Sequence, residues 1–188
     1  DARNQMLREG DRLTILTDVQ GQLAEFTKLV GDLVQLARDD GEATPEALDF
    51  RHVVTSALER ARRRGPGLDF DVELDPWYVV GVPDALERAV TNLLDNAVKW
   101  SPPGGTVRVQ LEGNRLRVAD EGPGIAEEDL PRVFDRFFRA DTARTTPGTG
   151  LGLSIVAQVV RQHGGVVRAG RSAQGGAEFT MVLPGARS

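Results

Sequence analysis

The sequence predicts an α+β fold in two layers, with helices covering one face of a mixed, mainly antiparallel sheet, and one long bundle-type helix ahead of it. Three observations predict this. A seven-residue apolar repeat runs through the first part of the chain. Three later stretches carry apolar side chains at helical spacing, and around them lie short segments in which apolar and polar residues alternate. Helices on one side of an antiparallel sheet are the packing solution for that mixture.

The bulk composition agrees. At 188 residues, 40% hydrophobic and 27% charged, the chain has length for one compact domain plus an appendage. A net charge of −5, from 23 basic and 28 acidic side chains, leaves no electrostatic footprint for a nucleic-acid partner. The densest basic cluster, Arg62-Arg63-Arg64, reads as the solvated end of a helix, where cations suit the dipole. Absence of cysteine excludes disulfides, thiolate nucleophiles and Cys-based metal sites and fits a reducing compartment. No apolar run approaches the ~18 residues of a membrane span, and no signal-peptide pattern opens the chain. A soluble cytoplasmic domain is expected.

From about Arg12 to Arg38, Leu16, Leu23, Val30 and Ala37 hold one core position of the repeat and Val19, Phe26 and Leu33 the other. Leu13, Leu29 and Leu36 widen the stripe, so the helix suits a bundle of several helices, and it needs a partner to cover that face. Asp39-Asp40-Gly41 ends it, and residues 41–47 read as a linker. Leu48 to Arg64 reads as a second helix, closed by Gly65-Pro66-Gly67. Leu68, Phe70, Val72 and Leu74 alternate as a strand, and Trp77 to Val80 gives another. A helix opens at Pro83-Asp84 and runs to Trp100. Strands follow around Val107 to Leu111 and Leu116 to Val118, joined by a turn at Glu112-Gly113-Asn114. A loop-rich region spans Glu121 to Gly150. A helix over Leu153 to Val160 stops at His163-Gly164-Gly165, and strands near Val166 and Ala177 to Leu183 close the chain.

Chemistry gathers in four stretches. Asn92, Asn96 and Lys99 stand at i, i+4 and i+7, so two carboxamides and an ammonium share a helix face. A carboxamide oxygen can complete a Mg²⁺ shell built mostly from phosphates and water, and a lysine is a point charge for phosphate. Alone, this reads more readily as an exposed polar face. Asp120-Glu121-Gly122-Pro123-Gly124-Ile125 follows a strand; its Asp can accept from an exocyclic amine such as that of adenine, or the segment is an ordinary turn. Gly148-Thr149-Gly150-Leu151-Gly152-Leu153 leads into a helix whose free amides can hold phosphate oxygens, though it fits neither the dinucleotide fingerprint nor a Walker loop. The preceding loop carries Phe134, Phe137 and Phe138 beside Arg136, Arg139 and Arg144, suited to a lid anchored by aromatics, or to a loop merely pinned to the core.

In this order the four stretches resemble the N, G1, F and G2 boxes of the histidine kinase family, a branch of the GHKL ATPase superfamily. Gly175-Gly176 before Phe179 looks like its last box, and Leu33 to Arg38 like the end of its second dimerisation helix. The resemblance covers essentially the whole chain and implies a Bergerat-type ATP-binding fold. It divides the chain into 1–40, the second helix of a dimerisation hairpin; 41–47, a linker; and 48–188, the ATP-binding catalytic domain. It implies that Asn96 binds Mg²⁺, that Asn92 and Lys99 contact the phosphates, and that Asp120 binds the adenine amine, with Gly122, Gly124 and Ile125 shaping that wall and Trp100 stacking nearby. Arg139 and the segment Gly148, Thr149, Gly150, Leu151, Gly152 and Leu153 would complete the triphosphate site. Asn92, Asn96, Lys99 and Arg139 are thereby the catalytic candidates.

ATP-hydrolysing relatives carry a Glu at the position of Asn92 as the base for water. An amide takes no proton at neutral pH, so the resemblance implies transfer of the γ-phosphate to a protein His and onward to an Asp of a response regulator. Glu87 and Asp95 are the other candidate bases. Trp100 stands where Tyr or Phe is usual, and Ala177 where Thr is common. The acceptor pattern, His-Glu-x-x-x-Pro, is absent; His52 and His163, the two histidines, read as surface or structural residues. The chain is therefore expected to be a piece cut after its acceptor helix, unable to label itself. Its parent is expected to be a membrane-anchored, dimeric bacterial sensor with this domain in the cytoplasm. Two other readings remain: a GHKL serine kinase or ATPase, against which the heptad helix weighs, and a non-catalytic nucleotide sensor whose helix docks a partner.

Overall fold

Alternation along five strands lines up, through their register, into one apolar sheet face that the helices cover. The structure, a computed structural model, describes residues 2–37, 43–140, 146 and 148–185, with side chains from Thr14 onward except 35 and 36. In chain order the elements are α1 (Ala2–Ala37), β1 (Glu46–Asp49), α2 (Phe50–Arg64), β2 (Asp69–Leu74), β3 (Tyr78–Gly81), α3 (Pro83–Trp100), β4 (Thr106–Glu112), β5 (Arg115–Ala119), α4 (Gly152–Gln162), β6 (Val166–Arg171) and β7 (Ala177–Val182). The main sheet has the order β2-β4-β5-β7-β6, and β1 pairs with β3 as a separate ribbon. Only the β2–β4 pairing is parallel in that sheet.

Cross-strand partners set the inner face. Val72 pairs with Val109, Val109 with Val118, Val118 with Phe179, and Phe179 with Ala169. Against this layer pack Val54, Ala57 and Leu58 of α2, Leu86, Val90 and Leu93 of α3, and Ile155, Val156 and Val159 of α4. Leu93 and Val90 are 0% exposed, so each contributes on the order of 2 kcal/mol of apolar burial. The other face is a charged ladder: Arg108 binds Asp71 at 2.9 Å, and Gln110 joins Glu73 to Arg117 at 3.0 Å each.

Several boundaries differ from expectation. The second helix starts at Phe50 because Asp49 caps it, its Oδ1 accepting from the Arg51 amide at 3.0 Å. Leu48 instead lies in β1 opposite Val79, and β1 opens at Glu46, inside the stretch read as linker. The first helix extends back to Ala2, past the start of the repeat at Arg12. Its seam is exposed, with Leu16 59%, Leu23 63% and Phe26 63% accessible. Leu29, counted there as part of the stripe, is half-buried, as is Asp32, and α1 contacts α4. Leu13 and Leu36 lie outside the described side chains, as does the helix stop at 39–41. The turn between β4 and β5 reduces to Gly113 and Asn114, with Gly113 at φ +56°. In the loop from Glu121 to Gly150 the regular structure among the described residues is a 3-10 turn, Leu130–Arg132.

Candidate functional site

α3 supplies one wall. Its buried stripe of Ala85, Leu86, Ala89, Val90, Leu93, Leu94 and Ala97 fixes the helix on the core. That leaves Asn92 and Asn96 half-buried and Lys99 exposed along one free edge. The glycine-rich segment runs along this edge. A Cβ built on Gly148 would lie 2.6 Å from Lys99 Nζ, and one on Gly152 would lie 3.3 Å from Asn92 Oδ1. Bare backbone therefore faces the carboxamide and the ammonium at the start of α4, where free amides and the helix dipole favour an anion. Although the residue is exposed overall, partial desolvation of its ammonium, with the charges of Arg139 and Lys28, pushes Lys99 below the ordinary lysine range, and Glu25 opposes this. Its Nζ also sits 4.9 Å from the centre of the Trp100 ring.

Asp120 supplies the second wall. It is 2% exposed at the end of β5, and its Oδ1 accepts from the amides of Gly122 (2.9 Å) and Ala177 (3.0 Å). Oδ2 is buried with no hydrogen-bond partner among the described residues. An acceptor left so costs free energy until a donor fills it, and an exocyclic amine is such a donor. Burial pushes this carboxyl above the usual carboxylate range, against the pull of the two amides. Three glycines press around it. A Cβ on Gly176 would lie 2.1 Å from the Asp120 carbonyl oxygen, one on Gly122 2.6 Å from that of Trp100, and one on Gly124, at φ +76°, 2.8 Å from that of Gly175. Through Trp100 the second wall joins the first. Ile125 is half-buried against the core.

The segment with three phenylalanines, read above as a lid or a pinned loop, is anchored unevenly. Phe134 meets Phe179 edge-on with ring centres 6.2 Å apart, and Arg132 lies over Phe138 at 4.7 Å. Phe137 is 58% exposed at φ +62°, its amide donating to Gly150 O at 3.0 Å. Arg139 donates to the main-chain oxygen of Thr146, and Arg136 lines a cleft with Gln158 and Arg161 of α4. Arg144 lies outside the described residues. Leu151 is wholly buried and Leu153 packs on the core, so each can offer only its backbone. The Leu151 amide is engaged by the Thr149 hydroxyl at 3.3 Å.

Some groups stand where the sequence did not foretell. Thr149 Oγ1 donates to Asp32 of α1 at 2.9 Å. Ser172, 5% exposed, donates from Oγ to the Asp120 carbonyl at 2.9 Å, and Glu121 accepts from the Thr106 amide at 3.0 Å. No local signal names those partners, which come from distant segments. Glu87 and Asp95, the alternative bases, are held by α2 arginines: Glu87 by Arg60 at 2.8 Å, and Asp95 by Arg64. That last pair also gives Arg64 a role beyond a solvated helix end. His163 is structural, its Nδ1 donating to Val159 O at 2.7 Å and its Nε2 accepting from the Val82 amide at 3.0 Å. His52 is exposed on α2.

Residues 81–187 match the family described as histidine kinase-, DNA gyrase B-, and HSP90-like ATPase. The signal transduction histidine-protein kinase/phosphatase MprB of Mycolicibacterium smegmatis is 48% identical, over 96% of this chain and 39% of that protein. This chain thus spans about two fifths of such relatives. The solved mycobacterial sensor histidine kinase MprB has a TM-score of 0.72 at 45% identity, over 76% of this chain and 100% of that one. The ATP binding domain of PrrB from Mycobacterium tuberculosis has 0.62 at 30%, over 76% and 98%. The chain belongs to the histidine kinase-, DNA gyrase B- and HSP90-like ATPases, as the ATP-binding region of a sensor histidine kinase.

Proposed function

We propose that the two walls bind ATP with Mg²⁺ and donate its γ-phosphate to a protein histidine, for onward transfer to an Asp of a response regulator. The buried Oδ2 of Asp120, unpaired among the described residues, carries the reading, because it asks for the donor that the adenine amine provides. Lys99, Asn92 and the amides at Gly148, Gly150 and Gly152 then receive the phosphates, with Arg139 at the lid. Asn96 would hold Mg²⁺ through its carboxamide oxygen, the phosphates and water giving the other ligands; the ion's chemistry is to neutralise charge between the phosphates. A relative described as an ATP binding domain supports the nucleotide.

Transfer to protein is favoured over hydrolysis because Asn92 is no base and the nearby carboxylates Glu87 and Asp95 are occupied by arginines. The acceptor is neither His163, whose ring nitrogens are both used, nor His52. It belongs to a helix that covers the exposed seam of α1 in a dimeric, membrane-anchored parent, with this domain in the cytoplasm. Residues 1–40 act as the hairpin's second helix, and 48–188 as the catalytic domain. Among the described residues, no helix is long and apolar enough to cross a membrane.

Calorimetric titration of the chain should show Mg-ATP binding, weakened about tenfold or more by Asp120→Asn or Lys99→Ala, as for loss of a charged hydrogen bond. In the intact parent, γ-labelled ATP should leave acid-labile phosphate on a histidine elsewhere. Label on His52 or His163, or rapid release of phosphate to water, would overturn the assignment.

A further inference from the structure

The hydrogen bonds that fix Asp120 do not come from its own loop alone. Its amide donates to Ala177 O at 2.9 Å, and its carbonyl accepts from the Ser172 hydroxyl at 2.9 Å. Ser172 opens the tight turn between β6 and β7. Its amide donates to Gly176 O at 2.8 Å and its carbonyl accepts from the Gly175 amide at 3.0 Å, with Gly175 at φ +92°. The turn then presses Gly176 onto Asp120, and Ala177 delivers the amide that holds Oδ1. The hydroxyl is a buried donor on a buried acceptor, 5% and 2% exposed by residue. With the hydroxyl removed, the carbonyl must move or admit water, and either response turns the carboxylate attached to the same Cα.

We propose that Ser172 is a positioning residue for nucleobase recognition. Its hydroxyl locks the Asp120 backbone so that Oδ1 stays on two amides and Oδ2 alone faces the 6-amino group of the purine. This rests on the ATP reading above and deepens it. Ser172 touches no nucleotide atom; it acts through the direction in which Asp120 points. A merely structural role would weaken every nucleotide alike, whereas a positioning role is confined to ligands bearing the 6-amino group.

The test is titration of the folded chain with Mg-ATP and with the Mg complex of purine riboside triphosphate, which carries hydrogen in place of that amine. Wild-type protein should prefer ATP. Ser172→Ala should shrink the preference by about fivefold, the worth of one hydrogen bond, through weaker ATP binding and little change for the analogue. Ser172→Cys, of similar volume but a weaker donor, should move the same way and covers the case in which the alanine variant fails to fold. In an Asp120→Asn background, Ser172→Ala should leave the ratio unchanged. Equal losses for both nucleotides, or none, overturn the proposal. A wild-type chain that binds both alike overturns the Asp120 reading itself and this one with it.

Discussion

The pKa of Asp120 is displaced upward and that of Lys99 downward, and the proposed nucleotide contacts need both groups charged. Burial raises the Asp120 carboxyl, so the folded chain keeps that proton to higher pH than the unfolded chain. The residue thus favours folding in acid, and that contribution is lost as pH rises through its raised pKa. Nucleotide affinity should follow the reverse course on the acid side, falling as Asp120 protonates above the usual carboxylate range. On the alkaline side it should fall as Lys99 discharges below the usual lysine range. Titration across pH should give a bell, and Asp120→Asn should remove its acid limb. Gly176 sets a steric limit beside them, since a Cβ there would stand 2.1 Å from backbone. Gly176→Ala should cost about 2 kcal/mol in urea denaturation, as overpacking does, and weaken ATP binding. Asp120, Asn92 and Lys99 could be singled out as candidates from the sequence because their residue types carry their chemistry at short spacing, and the structure sets Asn92 and Lys99 beside the glycine-rich segment. Ser172 could not, because a serine before a glycine turn is generic and its partner lies across the sheet.

Among the elements, α2 shows how a cap decides a boundary. Apolar spacing from Leu48 onward suits a helix, yet Asp49 stops the β1 ribbon and takes the Arg51 amide, so the helix begins at Phe50. The Arg51 side-chain hydrogen bond holds the Asp49 carboxyl below the usual range. That stabilisation is present above the ordinary aspartate value and is lost as pH falls through the lowered one. Asp49→Ala should cost about 1 kcal/mol in chemical denaturation, the usual worth of a cap, and leave Mg-ATP affinity unchanged. The periods of α2, α3, α4 and of the paired strands could be read directly, because burial of one face imposes them. The short β1 could not, since four residues are too few to distinguish alternation from a helical turn.

For the whole molecule, the sequence foretold layers and the exposed seam but not the strand order β2-β4-β5-β7-β6 or its parallel pair. Both depend on how distant segments meet, and nothing local encodes that. The same holds for the resting place of α1, whose Asp32 accepts from the Thr149 hydroxyl in the glycine-rich loop proposed to receive phosphate. A carboxylate held there opposes the arrival of phosphate by like charge. Asp32→Ala should therefore tighten Mg-ATP binding a few-fold in calorimetric titration, and unchanged or weaker binding would refute the coupling. The contact has a thermodynamic corollary. Any free energy by which a docked α1 disfavours the nucleotide is the same free energy by which the nucleotide loosens α1. A single hydroxyl would then make the long helix and the phosphate loop reporters of one another, with neither end privileged as sender.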